Sequence, residues 1–281
     1  MKRIWSITVL ILTGAAAVYS QTPAVVDGGV LNGASFAKGQ AVAPGSLVSV
    51  FGTNLVSTQA HLSSVPVSTT LADVSVTFDG IPAPMYDTIP LAAVPNIDQI
   101  NVQLPWNLPT SGTVNVVVTR TGMPPSSPVA IPVTPSAPGI FFTSGFQAIA
   151  FGNSDGALAA PVGAFPGLTT HPAKIGDPTT LVIFATGLGP VDATVRTGDV
   201  PDVLVTHTLT TPTVLVGGVA AQVGFSGLVG RDSNGVRQGF VGVYQINIVI
   251  QPGTPTGPAV PLQLQMNGIT STNQVTIAVS N

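Results

Sequence analysis

The chain has no cysteine and no glutamate in its 281 residues. Without thiols there can be no disulfide, thiolate metal site or thiol nucleophile, so stability has to come from packing. Without glutamate, any paired carboxylates of the glycosidase type must be aspartates. Charge is scarce: 8 Lys and Arg and 11 Asp bring charged residues to 7%, where about 25% is usual. So few cations, with a formal charge of -3, exclude nucleic acid as the main partner, because neutralising phosphates takes clustered Lys and Arg. There are only three histidines, His61, His171 and His207. No metalloprotease, nucleophile-elbow or phosphate-loop motif surrounds them, so no catalytic residue, metal or cofactor is expected. Helix-friendly stretches are missing too, since 31 Gly and 26 Pro interrupt the chain throughout and disfavour helix interiors.

What is present is apolar and β-branched. At 44% hydrophobic residues the chain can bury a real core. Met1-Lys2-Arg3 followed by the apolar stretch from Ile4 to Val18 and the small-residue site Val18-Tyr19-Ser20 reads as a signal peptide over residues 1–20, cleaved after Ser20. The expected product is secreted, extracellular or at the cell surface, with a formal charge of -5. No later apolar run is long and unbroken enough for a helical span, so no transmembrane segment is expected in the mature chain.

Period-two alternation dominates the remainder. Val74-Ser75-Val76-Thr77-Phe78, Ile100-Asn101-Val102-Gln103-Leu104, Leu262-Gln263-Leu264-Gln265-Met266 and Val275-Thr276-Ile277-Ala278-Val279 predict half-buried antiparallel strands. Three landmarks then recur in order. Phe51-Gly52-Thr53-Asn54-Leu55 returns as Phe184-Ala185-Thr186-Gly187-Leu188, Asp79-Gly80-Ile81-Pro82-Ala83 as Gly217-Gly218-Val219-Ala220-Ala221, and Gln99-Ile100-Asn101-Val102 as Gln245-Ile246-Asn247-Ile248. The offsets grow from 133 to 138 to 146, as loop insertions would make them. The expectation is an all-β chain of two tandem immunoglobulin-like β-sandwich domains, residues 27–134 and 135–281, joined by a proline-rich linker near 132–138. Asp79-Gly80 and Gly217-Gly218 predict tight primed turns. Phe51 and Phe184 are expected to plug the two cores, and the Gln and Asn side chains to face outward or onto an edge.

These landmarks carry a family resemblance. Asn32-Gly33-Ala34-Ser35-Phe36, Ala43-Pro44-Gly45-Ser46-Leu47, Gln99-Ile100-Asn101-Val102-Gln103-Leu104-Pro105-Trp106, Ala137-Pro138-Gly139-Ile140-Phe141, Ala185-Thr186-Gly187-Leu188-Gly189-Pro190 and Tyr244-Gln245-Ile246-Asn247 resemble the Solibacter-type C-terminal domain family of exported acidobacterial proteins. The resemblance runs from about Val30 to the C-terminus. It implies tandem IPT/TIG-like immunoglobulin-like domains in a secreted protein, and brings no established activity and no catalytic residues. The stretch from Met85 to Asp98 is longer here than in the family pattern.

Two loops are candidate binding segments. Residues 85–95 are apolar and contain Tyr86, Ile89 and Leu91, while residues 230–238 contain Arg231, Asp232 and Arg237. Each also has a plain reading, as packed or solvated loop. Trp106, the only tryptophan after residue 20, is either a sugar-stacking anchor or a packing residue. Asn153-Ser154-Asp155-Gly156 and Asp232-Ser233-Asn234-Gly235 are oxygen-rich turns without the spacing of a calcium loop. The expectation is a non-enzymatic module for adhesion, surface assembly or protein–protein interaction, using an open edge such as the strand from Tyr244 to Gln251. The alternatives are an extracellular polysaccharide-binding module and a hydrolase with an unrecognised site.

Overall fold

The structure is a computed structural model that describes residues 22–91, 97–152, 154–272 and 274–281. The signal-peptide segment 1–20 and residues 92–95 of the first candidate loop lie outside the described residues. The described chain is all-β, with one short 3-10 turn at Ser144–Phe146.

Nine strands precede residue 133: β1 (Ala24–Asn32), β2 (Leu47–Thr53), β3 (Ala60–His61), β4 (Val74–Phe78), β5 (Ile81–Pro82), β6 (Met85–Leu91), β7 (Ile97–Gln103), β8 (Thr113–Arg120) and β9 (Val129–Pro132). They form two sheets, ordered β1-β2-β7-β6-β3 and β5-β4-β8-β9. Eleven follow: β10 (Gly139–Ile140), β11 (Ala150–Gly152), β12 (Ala173–Lys174), β13 (Leu181–Thr186), β14 (Thr213–Val216), β15 (Val219–Ala220), β16 (Gln222–Leu228), β17 (Tyr244–Val249), β18 (Gly257–Met266), β19 (Ile269–Thr270) and β20 (Val275–Ser280). Their sheets are ordered β10-β13-β17-β16, with β11 also on β13, and β12-β20-β18-β14-β15, with β19 also on β18. Strand for strand, β1, β2, β7 and β6 correspond to β10, β13, β17 and β16. The pairing is antiparallel except between β12 and β20.

Alternation explains the burial. Val48 and Val50 of β2, Ile100 and Val102 of β7, and Val76, Phe78, Val114, Val116 and Val118 of the facing sheet share one core. Leu181, Ile183, Ala185, Ile246, Ile248, Leu262, Leu264 and Ile277 share the other. Phe51 and Phe184 belong to neither: each lies one residue out of phase with its strand's buried series and is only half-buried on the opposite face. The expectation that they plug the cores is corrected by register, since a shift of one residue changes the face. Tight turns follow the sequence: Asp79 and Gly80 have φ of 46° and 79°, and Gly217 and Gly218 have 58° and 84°. Gly187, at φ 78°, also has no room for a side chain, because a Cβ there would stand 2.0 Å from the Ala137 carbonyl oxygen.

Two further expectations change. Residues 85–91, read as loop, are β6, hydrogen-bonded between β3 and β7. Prolines at 90 and 95 hid this strand, but Pro90 falls where its missing N–H is tolerated near the end of the ladder. The supposed open edge at Tyr244 is β17, a central strand paired with β13 on one side and β16 on the other. The outer side of β16 is itself covered in part, with Thr206 N donating to Leu228 O at 3.0 Å and Thr208 N to Ser226 O at 2.9 Å.

The two halves are locked together by polar and apolar contacts. Asn32 Nδ2 donates to Ala137 O at 2.8 Å, Leu47 N to Thr186 Oγ1 at 2.9 Å, and Gly198 N to Gln103 Oε1 at 2.7 Å. A small apolar cluster of Val67, Val200 and Val241, with Leu62, Val65 and Tyr86 against it, fills the corner between them.

Candidate functional site

The outer face of the first half's five-stranded sheet carries a polar ladder. Register places His61 opposite Asp87, Asp87 opposite Asn101, and Asn101 opposite Ser49. This row crosses three inter-strand spacings, about 14 Å. His61 Nδ1 donates to Asp87 Oδ1 at 2.7 Å, Asn101 Nδ2 to Asp87 Oδ2 at 3.0 Å, and Ser49 Oγ to Asn101 Oδ1 at 2.7 Å. Gln59 Nε2 meets His61 Nε2 at 3.2 Å. Each group fixes the next, so the polar atoms are held at set positions before any ligand arrives.

Beside the ladder lies an aromatic and amide unit. Phe51 stands opposite Gln99, and the Gln99 amide donates to Asn101 Oδ1 at 2.8 Å. The ring of Phe36 is tilted against Phe51, with centroids 6.4 Å apart at 60°. The second half repeats this arrangement. Phe184 stands opposite Gln245, Gln245 Nε2 donates to Asn247 Oδ1 at 2.8 Å, and Phe151 meets Phe184 at 6.3 Å and 65°. Phe225, opposite Asn247, takes the place of Asp87, and His207 lies edge-on to it at 5.5 Å.

The sequence-predicted residues divide around this site. Ile89 and Leu91 lie on the same outer face, opposite Gln99 and Ile97. Tyr86 occupies the bulge of β6, and its hydroxyl donates to Val241 O at 2.7 Å. Burial pushes that phenol well above its ordinary range, with Asp87 adding to the rise and Arg237 opposing it. Tyr86 thus joins the halves through a bond between residues 155 positions apart. Arg231 is used internally: its Nη2 donates at 2.7 Å to Asp199, which is 2% exposed. Burial would raise Asp199, but hydrogen bonds from Arg196, the Val200 N–H and Arg231 outweigh it and hold the carboxyl below 3.8. Arg196 closes the network on Asp202 with bonds of 2.9 Å. Asp232 caps its own turn through the N–H groups of Asn234 and Val236, both at 2.9 Å. Trp106 packs against the second half's core with its ring over Gly45, and its backbone N–H donates to Thr197 Oγ1 at 3.1 Å. The contact is structural, between halves, and the indole Nε1 is buried without a partner among the described residues.

Each histidine is paired with an aspartate: His61 with Asp87, His171 with Asp155 at 2.7 Å, and His207 with Asp192 at 3.2 Å. His171 uses both nitrogens, Nε2 on Asp155 and Nδ1 on Pro172 O at 3.0 Å, which leaves neither to activate a nucleophile. Among the described residues no group of three or more potential metal ligands converges.

Sequence reasoning found the outward amides but missed their aromatic neighbours. The signal was present: Phe51 and Phe184 fall in the same landmark, out of phase with the valines and isoleucines that fill the core.

No known family model matches the chain, and no curated protein matches it. Among solved structures it is similar over 85% of its length to the Bacteroides ovatus mixed-linkage glucan utilization locus SGBP-B, determined in complex with a mixed-linkage heptasaccharide, at 12% identity and a TM-score of 0.29. It is also similar over 85% of its length to Yersinia pseudotuberculosis InvD, at 16% identity and a TM-score of 0.23. The chain spans 42% and 53% of those two proteins. Likeness at this level carries no argument about function.

Proposed function

We propose that the protein is an exported, non-catalytic binding protein for neutral polysaccharide, built from two IPT/TIG-like immunoglobulin-like domains behind a cleaved signal peptide. The observation that carries the reading is the recurrence of one unit, Phe with a second ring, Gln and Asn, on the outer sheet face of both halves. A core-forming repeat needs only its inward series, and these residues lie outside it. Sugars present C–H faces that pack on aromatic rings and hydroxyls that pair with amides and carboxylates, and a sheet face offers both on a flat surface. Scarce charge suits a neutral polymer better than a strongly anionic one. The family resemblance supports export and the immunoglobulin-like architecture.

The test is retention of the protein in native gels containing mixed-linkage β-glucan, xyloglucan, mannan or laminarin, followed by calorimetry on the polysaccharide retained. Phe51→Ala combined with Phe184→Ala should weaken binding by about tenfold or more, at roughly 1–3 kcal/mol per lost aromatic packing contact. Wild-type protein that ignores every polysaccharide, or a double variant that binds as wild type does, would sink the reading.

A further inference from the structure

The end of the second half holds a cleft that the polysaccharide reading leaves unused. Its volume is about 390 Å³, within the range of small-molecule sites. It opens between the sheets where β13 begins, β17 ends and β20 ends, and its floor includes Ala157, Ala159, Leu181, Ile248 and Ile250. Ala157 and Ala159, both buried, line the cleft with side chains of a single methyl group.

The rim is charged in a particular way. His171 and Asp155 are bonded to each other at 2.7 Å. Asp155 is further fixed by the Ala157 N–H at 3.0 Å, and His171 by Pro172 O. That leaves Lys174 and Asp177, both on the rim. Asp177 accepts through Oδ1 from the Thr179 N–H at 2.8 Å and the Thr179 hydroxyl at 2.5 Å, so its orientation is set. Its Oδ2 has no partner among the described residues. Lys174 has no ion-pair partner among them either, and it lines the same cleft as Asp177.

An ammonium and a carboxylate that line one cleft without pairing, beside apolar side chains, complement a zwitterion with an apolar body. The geometry points to a binding site for an apolar α-amino acid or the corresponding short peptide. The ligand carboxylate would meet Lys174, its ammonium would meet Asp177, and its side chain would lie on Leu181, Ile248 and Ile250. A carboxylate alone would leave Asp177 facing a like charge, and an amine alone would do the same to Lys174.

The experiment is calorimetric titration of the full chain with L-leucine and with Leu-Leu, alongside 4-methylpentanoate and isoamylamine as the single-charge analogues. One saturable site for at least one zwitterion is expected, with each analogue about tenfold weaker or more, the worth of one charge-assisted hydrogen bond. Lys174→Met and Asp177→Asn should each weaken the zwitterion by about the same factor. Ala157→Phe should abolish binding by filling the floor, with Ala159→Val as the milder replacement should the first fail to fold. Phe51→Ala with Phe184→Ala should leave leucine binding unchanged, which separates this site from the polysaccharide face. The inference is overturned by absence of saturable binding of either zwitterion, by a single-charge analogue binding equally well, or by wild-type affinity in both charge variants.

Discussion

His171 shows how one side chain ties two segments together and how that tie depends on pH. Both ring nitrogens face acceptors, so the folded chain favours a proton on each. The bond to Pro172 O, and then the bond to Asp155, raise the imidazole above 6.5. A group whose folded pKa is raised stabilises the fold fully below its unfolded value, and that contribution is lost as pH rises through the folded one. Asp155 runs the other way: the Ala157 N–H, and then His171, hold it below 3.8, so its contribution is lost as pH falls through that lowered value. The pair therefore contributes fully between about pH 4 and 6.5. Thermal unfolding of wild type and His171→Gln should differ more at about pH 5.5 than at about pH 9. Both side chains are partly exposed, 42% and 46%, so screening by water keeps the effect small. An equal difference at the two pH values would refute the account.

Among elements, β2 and β13 carry two series of residues with different tasks. In β2 the inward series is Val48 and Val50, fully buried, while Ser49 and Phe51 form the outer series. Ile100 of β7, opposite Val50, is fully buried in the same core. Ile100→Ala should cost about 2–5 kcal/mol in urea unfolding, from lost transfer and the remaining cavity. Phe51→Ala should cost about 1 kcal/mol or less, the worth of a cross-strand pair on a half-exposed face. A Phe51 loss as large as that of Ile100 would return the ring to the core and remove the support for a binding role. The turns that follow these strands are held by different means at equivalent places. Asp98 Oδ2 accepts the Leu55 N–H at 2.8 Å, whereas the Tyr244 hydroxyl donates to Gly189 O.

At the scale of the whole molecule, four sheet edges among the described residues are poor candidates for association. β5 and β9 end in proline, β3 has two residues, and β16 is partly covered by the segment around Thr206 and Thr208; each device blunts pairing with another chain. The second half instead exposes an apolar strip, with Val203, Leu204 and Val205 each about half exposed and Leu204 O bonded to the Gly230 N–H at 2.8 Å. Phe240, 61% exposed, adjoins Val241 at the junction of the halves. Contact with other protein molecules should therefore run through this strip. In light scattering across a concentration series, any mass increase should vanish in Leu204→Asp and persist in Gln222→Asp on the edge of β16. The reverse pattern would restore the edge model.

Much of the fold is legible in the residues themselves. Alternation along 74–78, 100–104, 262–266 and 275–279 announces the strands because a sheet with one wet face needs polar and apolar side chains in turn. Asp79-Gly80 and Gly217-Gly218 announce their turns because positive φ selects them, and the recurring landmarks announce two copies of one topology. Other features depend on distant partners. Whether Phe51 faces core or solvent depends on a register of one residue. The place of β17 depends on which strands flank it, and the strand character of 85–91 depends on neighbours that supply its hydrogen bonds. The meeting of Tyr86 with Val241 and of Arg231 with Asp199, and the cleft that Lys174 and Asp177 share with Ala157, Leu181 and Ile248, depend on how the sheets and loops are stacked. Local chemistry determines the element, because its forces act within a few residues; the binding faces arise from packing between residues far apart in the chain, which only the tertiary structure decides.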